Sequence, residues 1–391
     1  MRFVREVREN ALPGRSRQTP SHKRKGDILS NRKLAVILCL AALVATSSVA
    51  SAGLTAKQTL GKLIFFDPNL SEPRGQSCAS CHAPGAGFTD PDGTLPVSFG
   101  VIEDRNGGRT APTAAYAAFS PTFGFDGELW IGGQFWDGRA ATLADQAKAP
   151  FLNPVEMNNA SKAIVIRDVR SSCYAVLFRA IYGKKSLDNV EKAYNYMADA
   201  IAAYESSDEV NPFTSKYDYF LKGKATLTAK EARGLEVFAG ETLGNCAACH
   251  PLETPEGLPG PLLTDFSYDN LGIPRNLEIP AYAANPTLQD LALHVTVAAY
   301  DPNGDENGKF KVPTLRNVAV TGPWGHNGFF KSLKDIVQFY NARDVVPGAF
   351  GEPEVPETVN TSELGNLGLA DEDVEAVVYF LRTLTDGYVP R

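Results

Sequence analysis

The chain has 391 residues and a net charge of −7 at pH 7, and it contains only 6 cysteines and 5 histidines. This length is enough for two globular domains. An acidic chain is not expected to bind nucleic acid, because nucleic-acid phosphates attract basic surfaces.

The first predicted element is a leader. Leu34 to Ala45 form an apolar run of about a dozen residues, with Arg32 and Lys33 before it and small residues up to Ala52 after it. This run is too short to span a bilayer comfortably, so residues 1–52 are predicted to be a secretory signal peptide.

Cleavage after Ala52 removes ten basic and three acidic residues and leaves a net charge of −14. No later segment is long and apolar enough to span a membrane. The mature protein is therefore expected in the periplasm without a membrane span, with an acidic surface that attracts a basic electron carrier at low salt.

Two copies of the pattern Cys-x-x-Cys-His stand at residues 78–82 and 246–250. In this spacing the two thiols add across the vinyl groups of one haem, and the adjacent histidine ligates the iron. A thioredoxin-like redox pair or a zinc site requires no histidine directly after the second cysteine. The sequence thus predicts two covalently bound haem c groups, held by Cys78, Cys81, His82, Cys246, Cys249 and His250.

The other two cysteines give no disulfide framework. Cys39 lies in the leader, and Cys173 then has no partner in the sequence. Cys173 is expected to be a buried, inert thiol.

Each haem motif follows a short amphipathic helix in the prediction. These helices cover Leu60 to Asp67 and Ala232 to Phe238, and both contain Gly-x-x-[Ile/Val]-Phe. The shared pattern indicates an ancient duplication. Apolar residues at spacings of three and four predict two more helices, over Asn189 to Ser206 and over Asp371 to Thr385.

The domain boundary is placed near residue 220, because Asn211 to Lys224 is polar and prone to turns. The predicted fold is mainly α, with extensive loops and two cytochrome c-like haem domains. An N-terminal domain covers residues 53–220 and a C-terminal domain covers residues 221–391.

Four further blocks carry a family resemblance: QFWDGRAATLADQA at 134–147, PFLNPVEM at 150–157, KVPTLRNV at 311–318 and GPWGHNG at 322–328. In this order they closely resemble the bacterial di-haem cytochrome c peroxidase family, which includes the MauG-like enzymes. The resemblance implies that the N-terminal haem is the peroxide site and that the C-terminal haem receives electrons.

The resemblance also assigns site residues. Trp136 takes the position of a tryptophan between the two haems. Glu156 is the acid/base, Gln146 orients the peroxide by a hydrogen bond, and Pro150 lines the pocket. A carboxyl group in a partly dry pocket is expected to have a raised pKa, which suits proton transfer near neutral pH.

The sequence departs from many family members at the peroxide site. They carry a distal histidine between the first haem motif and the tryptophan block, yet no histidine lies between His82 and His250. This absence resembles the MauG-like branch, or peroxidases that need no reductive displacement of a histidine.

A second departure concerns the sixth ligand of the C-terminal haem, which is a methionine in many peroxidases and a tyrosine in MauG. No methionine follows Met197, and the indole nitrogen of Trp324 is only a donor. His326 and Tyr300 remain as candidate ligands, and so does an iron that has five ligands or binds water. A structural hydrogen bond is favoured for His326 over ligation.

The family often holds a calcium ion between its domains. The acidic segment from Asp301 to Gly308 partly resembles a calcium loop, but it has Glu306 where an EF-hand requires glycine. The segment is interpreted as a solvated turn, and the calcium ligands are left unassigned.

The leading functional hypothesis is reduction of hydrogen peroxide to water, with two electrons from a small periplasmic redox protein such as a cytochrome c or a cupredoxin. One alternative is a MauG-like enzyme that oxidises tryptophan or tyrosine residues of a partner protein. Another is a non-catalytic electron-transfer cytochrome, which leaves Gln146 and Glu156 unexplained.

Overall fold

Helices joined by long loops form most of the structure, which a computed structural model describes for residues 53–346 and 348–390. The predicted signal peptide lies outside these residues. The helices are α1 (Ala56–Phe65), α2 (Cys78–Cys81), α3 (Leu143–Gln146), α4 (Ala149–Leu152), α5 (Lys162–Ser171), α6 (Ala175–Tyr182), α7 (Val190–Glu205), α8 (Lys216–Leu221), α9 (Ala229–Ala239), α10 (Pro280–Ala284), α11 (Leu293–Val297), α12 (Leu333–Ala342) and α13 (Asp371–Arg382). The chain is mainly α, as predicted.

Four two-residue strands pair into two antiparallel ladders: β1 (Gly124–Phe125) with β2 (Trp130–Ile131), and β3 (Tyr268–Asp269) with β4 (Phe310–Lys311). Single turns of 3-10 helix cover Pro68–Leu70, Pro84–Ala86, Ala117–Phe119, Cys246–Ala248 and Val318–Val320. Within the described ranges, no helix has the length and apolar character needed to cross a bilayer.

The helix before the first haem motif packs against α7. Helix α1 begins with a capping box, in which Thr55 and Gln58 satisfy each other's backbone N–H groups. A Cβ atom added at Gly61 would collide with the carbonyl oxygen of Ala200 on α7, so only glycine permits this close approach. Phe65 is 1% exposed in the core beneath.

The helix before the second motif repeats this arrangement. Helix α9 crosses α13, where a Cβ at Gly234 would collide with the carbonyl oxygen of Ala376. Phe238 is 1% exposed and contacts the ring of Phe380. The shared Gly-x-x-[Ile/Val]-Phe pattern therefore encodes the same packing twice, with glycine at the helix crossing and phenylalanine in the core.

Two main hydrophobic cores result. The first core includes Leu60, Phe151, Val165, Phe178 and Tyr204. The second core includes Val237, Phe238, Val337, Val377 and Phe380.

The segment expected to be a turn-rich boundary contains the short helix α8. Phe213 packs in the first core and Tyr217 in the second. Asp218 forms a buried ion pair with Arg316, at 2.7 Å between Oδ1 and a guanidinium nitrogen. A helix forms here because Ser215 caps it and because Tyr217 and Asp218 are buried. The polar composition of the segment concealed this burial. The domain division at residue 220 stays a prediction.

The expectation for Cys173 was wrong. The residue is exposed rather than buried. It lies between Ser172, which ends α5, and Tyr174, which precedes α6, so its position in a surface connection explains the difference.

Candidate active site

The first haem motif is a single helical turn that presents His82. Cys78 and Cys81 stand at the two ends of α2, and His82 follows at its C-cap. The Nδ1 of His82 donates to the carbonyl oxygen of Phe88 at 3.1 Å, which leaves Nε2 as the nitrogen available to a metal. Burial lowers the pKa of His82, which favours the neutral ligating form.

The second motif repeats this chemistry. Cys246 opens a 3-10 turn, and the Nδ1 of His250 donates to the carbonyl oxygen of Leu263 at 2.8 Å. Burial lowers the pKa of His250. In both motifs a backbone carbonyl fixes the imidazole tautomer and its orientation.

A cavity of about 280 Å³ opens beside Cys246, Cys249 and His250. Its apolar lining includes Phe238, Phe310, Leu333, Val337, Val377 and Leu381. An apolar cavity with two thiols and an oriented imidazole at its edge fits a covalently attached haem. The residues present are therefore suited to the group that the motif predicts.

Glu156 lies near the first motif. Burial is the main cause that raises the pKa of both Cys78 and Cys81, and the charge of Glu156 adds to it. The Nδ2 of Asn153 donates to Oε1 of Glu156 at 3.0 Å. Burial raises the pKa of Glu156 itself, against smaller opposing effects of Asn153 and Arg139. The expected direction of this pKa shift is confirmed.

Pro150 and Gln146 lie on the short helices that precede Glu156. The backbone N–H of Met157 donates to the carbonyl oxygen of Pro150 at 3.2 Å, which draws Pro150 toward the Glu156 segment. Gln146 is half-buried at the end of α3. Its side-chain amide has no hydrogen bond to another described residue.

Trp136 lines the cavity beside His250 and is hydrogen-bonded to the segment that contacts His82. Its indole Nε1 donates to the carbonyl oxygen of Thr110 at 2.9 Å, and Trp136 lines the cavity. The backbone of Pro112, two residues after Thr110, interacts with the His82 ring. One hydrogen bond thus connects the indole to the segment that contacts the first histidine.

A chain of ion pairs surrounds the Trp136 loop. Asp137 accepts hydrogen bonds from Arg109 at 2.7 Å and from Arg139 at 2.8 Å. Arg109 also binds Asp290 at 2.6 Å. Since the positive charge of Arg139 lowers the pKa of Glu156, this network extends electrostatically to the first motif.

His326 lines the cavity with its ring stacked on Phe310 at 3.6 Å between centroids. Its Nε2 is 3.6 Å from Oε2 of Glu354, and both atoms are buried without a hydrogen bond. Tyr300 is 79% exposed, rests near Trp130 and is not part of the cavity lining. Of the two candidate ligands, only His326 lines the cavity that also contains His250.

Tyr340 is a cavity residue that the sequence analysis missed. It lines the cavity on α12, and burial raises its pKa well above the ordinary range, with added effects of Cys246, Cys249 and Asp269. Its hydroxyl has no hydrogen bond to any residue that the structure describes. The signal was present in the sequence, because Leu333, Val337 and Tyr340 follow the i, i+4, i+7 spacing of one helix face.

Comparison with known proteins identifies the family. Residues 55–226 match the family model described as di-haem cytochrome c peroxidase. Over 376 residues the chain is 39% identical to the methylamine utilization protein MauG of Paracoccus denitrificans, covering 90% of this chain and 95% of that protein. The chain belongs to the di-haem cytochrome c peroxidase family.

Peroxidases are among its relatives as well. The chain is 31% identical over 336 residues to the cytochrome c551 peroxidase of Pseudomonas aeruginosa, covering 86% of this chain and 80% of that protein. The crystal structure of the diheme peroxidase BthA from Burkholderia thailandensis matches with a TM-score of 0.79 and 36% identity, covering 87% and 89% of the two chains.

The comparisons confirm the family and the enzyme class predicted from sequence: the protein is an oxidoreductase that acts with peroxide and uses haem. The relatives include both MauG and cytochrome c peroxidases. Family membership thus leaves two functions to be compared.

The calcium ion that the resemblance implies does not fit the acidic turn. Asp301 accepts hydrogen bonds from His294, from the backbone of Asp305 and from the backbone of Glu306 at 2.8–2.9 Å. Its carboxylate oxygens are therefore engaged within the turn. Across residues 53–346 and 348–390, no three His, Cys, Asp or Glu side chains form a group suited to a metal ion.

Proposed function

We propose that this protein is an exported periplasmic enzyme with two covalently bound haem c groups. It reduces hydrogen peroxide to water with two electrons from a small redox protein, a cytochrome c or a cupredoxin. Residues 53–220 would form the peroxidatic domain and residues 221–391 the electron-receiving domain. The observation that supports this proposal is a partly buried carboxyl group with a raised pKa, Glu156, near the first haem motif.

The chain would hold the haems through the two motifs. Cys78 and Cys81 would form the thioether bonds of one haem, and Cys246 and Cys249 those of the other, with His82 and His250 as iron ligands. When bound, the first haem supplies the redox chemistry at the O–O bond, and the second supplies electrons. The overall reaction consumes one peroxide, two electrons and two protons and releases two water molecules.

Glu156 would move the proton within the bound peroxide. As a carboxylate it takes the proton from one oxygen, and as a carboxylic acid it delivers that proton to the leaving oxygen. The raised pKa supports both roles, because it brings the two protonation states closer in population near neutral pH. Gln146 would donate a hydrogen bond that holds the peroxide, since its amide has no other described partner, and Pro150 would exclude water beside it.

Trp136 would carry electrons between the two haem sites. Its position in the cavity wall, with a hydrogen bond to the segment that contacts His82, supports this role. An oxidisable indole offers an intermediate site for electron transfer that an aliphatic side chain does not.

Tyr340 is proposed as the sixth ligand at the second haem, in place of His326. It lies in the same cavity as His250, near both thiols, and its hydroxyl is without a described partner. His326 is better explained as a structural residue, because its ring stacks on Phe310 and Nε2 faces Glu354. An anionic oxygen ligand opposes a high reduction potential, whereas methionine promotes one.

A low potential at the second haem favours a second candidate function. Such a haem is a poor store of electrons, so the enzyme would act from its fully oxidised form. It could then oxidise tryptophan or tyrosine side chains of a partner protein. The 39% identity to a MauG protein supports this alternative as well.

The test begins with haem content and then measures turnover. Two haem equivalents should stay on the polypeptide after acid–acetone extraction, and one or none would refute the proposal. Peroxide should then be consumed by fully oxidised protein with a reduced small cytochrome as donor. A strict need for prior reduction of the second haem would contradict the assignment of Tyr340. Turnover only with a protein substrate would favour the second candidate.

A further inference from the structure

A cluster of aromatic side chains reaches the surface beside the loop that carries Trp136. The indole of Trp130 on β2 stacks on the ring of Phe123 at 5.3 Å between centroids, and it contacts the ring of Phe125 at the same distance. It also lies 6.0 Å from the ring of Tyr300. Trp130 is half-buried, whereas Tyr300 is 79% exposed. These four rings, the Trp130 cluster, therefore extend from half-buried positions out to solvent.

The inner end of the Trp130 cluster contacts the Trp136 loop. Phe123 lies 6.1 Å from the ring of Tyr268, and the phenol of Tyr268 donates to the carbonyl oxygen of Gly132 at 2.6 Å. A Cβ added at Gly138 would collide with the phenol oxygen of Tyr268 and with the ring of Phe123. Since Gly138 is two residues from Trp136, at most about 7 Å along the chain, these two rings lie beside the segment that holds the indole.

The two tyrosines of this route differ in whether they can release a proton. A tyrosine that loses an electron must also lose its phenolic proton. Tyr268 is buried and donates to a backbone carbonyl, which does not take up a proton at neutral pH, and burial raises the pKa of Tyr268. Tyr300 lies mostly in solvent, where water takes the proton. Oxidation is therefore favoured at Tyr300 and disfavoured at Tyr268.

The charges beside Trp130 favour a transient positive charge on its indole. The hairpin of β1 and β2 contains Asp126 and Glu128 and no basic residue. Backbone hydrogen bonds lower the pKa of Asp126, which keeps its carboxylate ionised. Because opposite charges attract, these carboxylates stabilise the oxidised indole relative to the neutral one.

We propose that Tyr300 is a surface oxidation site, connected through the Trp130 cluster to the Trp136 loop, at which the protein oxidises small phenols in solution. A phenol suits this site because it gives up one electron and one proton, the same pair that an oxidised tyrosine needs. Phe125 and Leu129, which are 55% and 51% exposed on the same hairpin, offer apolar surface to its ring. The inference rests on the proposed peroxide chemistry and adds a class of substrate to it.

Electrons and protons balance along this route. Oxidised Trp136 draws an electron from Trp130, and Trp130 draws one from Tyr300, whose phenolic proton passes to water. A small phenol then returns one electron and one proton to Tyr300 and becomes a phenoxyl radical. Two such cycles consume one peroxide and two phenols, and they give two water molecules and two phenoxyl radicals that couple to each other.

The first experiment measures phenol oxidation by haem-loaded protein with peroxide and N-acetyltyrosinamide, whose coupled product is fluorescent. Tyr300→Phe should lower the rate by about tenfold or more, which is about 1.4 kcal/mol in the barrier. Trp130→Phe keeps an aromatic ring in the cluster but removes the oxidisable indole, so it should lower the rate as well. If Trp130→Phe does not load haem, Tyr300→Phe decides, because the exposed side chain of Tyr300 contributes little to the core.

Tyr379→Phe is the matched control. Tyr379 is also an exposed tyrosine, but its ring lies 4.5 Å from Nζ of Lys230 and 5.3 Å from the guanidinium carbon of Arg382. These cations oppose the loss of an electron from the ring. Tyr379→Phe should therefore leave phenol oxidation unchanged, and turnover with a reduced small cytochrome should be the same in the parent, in Tyr300→Phe and in Tyr379→Phe.

A covalent product gives a second readout that does not depend on turnover. With peroxide and no reductant, two copies of the parent should couple through Tyr300, with a bond between the two rings and the loss of one hydrogen atom from each. Gel electrophoresis would show the dimer, and mass spectrometry of its peptides would locate the bond. Tyr300→Phe should form no such dimer, whereas Tyr379→Phe should form as much as the parent.

The outcomes separate this inference from the proposed function. Phenol oxidation at the parent's rate in Tyr300→Phe, or bonds located at other tyrosines, would overturn the inference while turnover with reduced cytochrome stays normal. A parent that reduces peroxide with cytochrome but oxidises no phenol would overturn it in the same way. A haem-loaded parent that consumes no peroxide at all would refute the proposed function and this inference together.

Discussion

Replacement of Glu156 by glutamine tests the proposed acid/base directly. Glutamine keeps the shape of the side chain and the oxygen that accepts the hydrogen bond from Asn153. It removes only the ability to bind and release a proton. Because burial already disfavours the charged form of Glu156, a neutral amide at this position should preserve folding and haem loading.

The expected loss is about 10²-fold or more in peroxide turnover, within the range of roughly 10²–10⁴ for a positioned acid/base. A 10²-fold loss corresponds to about 2.7 kcal/mol of transition-state stabilisation. A solvated surface carboxylate would contribute far less. The size of the effect therefore separates a proton carrier from a bystander.

The pH profile of peroxide turnover shows which protonation state of Glu156 is active. Glu156 must be ionised to accept a proton, so activity should fall as the pH falls through its pKa. Burial raises that pKa, which places the acid limb above the pH of an ordinary glutamate. Asn153→Ala removes a hydrogen bond that lowers the pKa, so its acid limb should move to higher pH.

Stopped-flow measurement of peroxide consumption, normalised to haem content, provides the assay. The Glu156→Gln variant should lose the acid limb together with most of its rate. Near-normal turnover in a fully haem-loaded Glu156→Gln variant would show that Glu156 is not the acid/base. If the acid limb of the pH profile moved to lower pH in the Asn153→Ala variant, this result would contradict the electrostatic reasoning.

Three further substitutions test other parts of the site. Trp136→Leu should leave both haems bound but slow electron transfer between them in rapid-mixing spectra, whereas Trp130→Leu should leave the transfer rate unchanged. Equal transfer rates in the parent and in Trp136→Leu would show that Trp136 is an ordinary core residue. Tyr340→Phe should raise the reduction potential of the second haem in a spectroelectrochemical titration, and Tyr300→Phe should leave it unchanged; an unshifted potential in Tyr340→Phe would exclude ligation by this tyrosine. Gly234→Ala should destabilise the fold by about 1–3 kcal/mol or more in urea titrations, because the helices must separate to admit a methyl group; unchanged stability would show that the crossing is looser than described.

The helices were predictable because their signals are local. The spacing of apolar residues predicted a helix over Asn189 to Ser206, and the structure has Val190–Glu205 with those two residues as caps. The terminal helix was predicted over Asp371 to Thr385 and ends at Arg382. Caps and periodicity act within a few residues, so one sequence carries them in full.

The reason for the repeated glycine required the structure. The shared pattern indicated duplication, but only the packing shows that Gly61 and Gly234 each face a backbone carbonyl of a distant helix. Helix α8 was missed for a related reason. Its burial depends on Arg316, about 100 positions away, and no local pattern reports such a contact.

The cavity residues illustrate the same limit. Tyr300 remained as a candidate ligand once methionine and Trp324 were excluded, but its side chain lies at the surface. Tyr340 lies 90 residues after His250 in sequence and lines the same cavity. Family resemblance assigned Trp136 and Glu156 because they stand inside recognisable blocks, whereas Tyr340 stands outside every block.

The proposed tyrosine ligand would determine how the second haem site handles electrons. An oxygen ligand from Tyr340 would lower its reduction potential. The second haem would therefore be a poor electron store. The two oxidising equivalents of peroxide would then persist on the protein until a donor arrives.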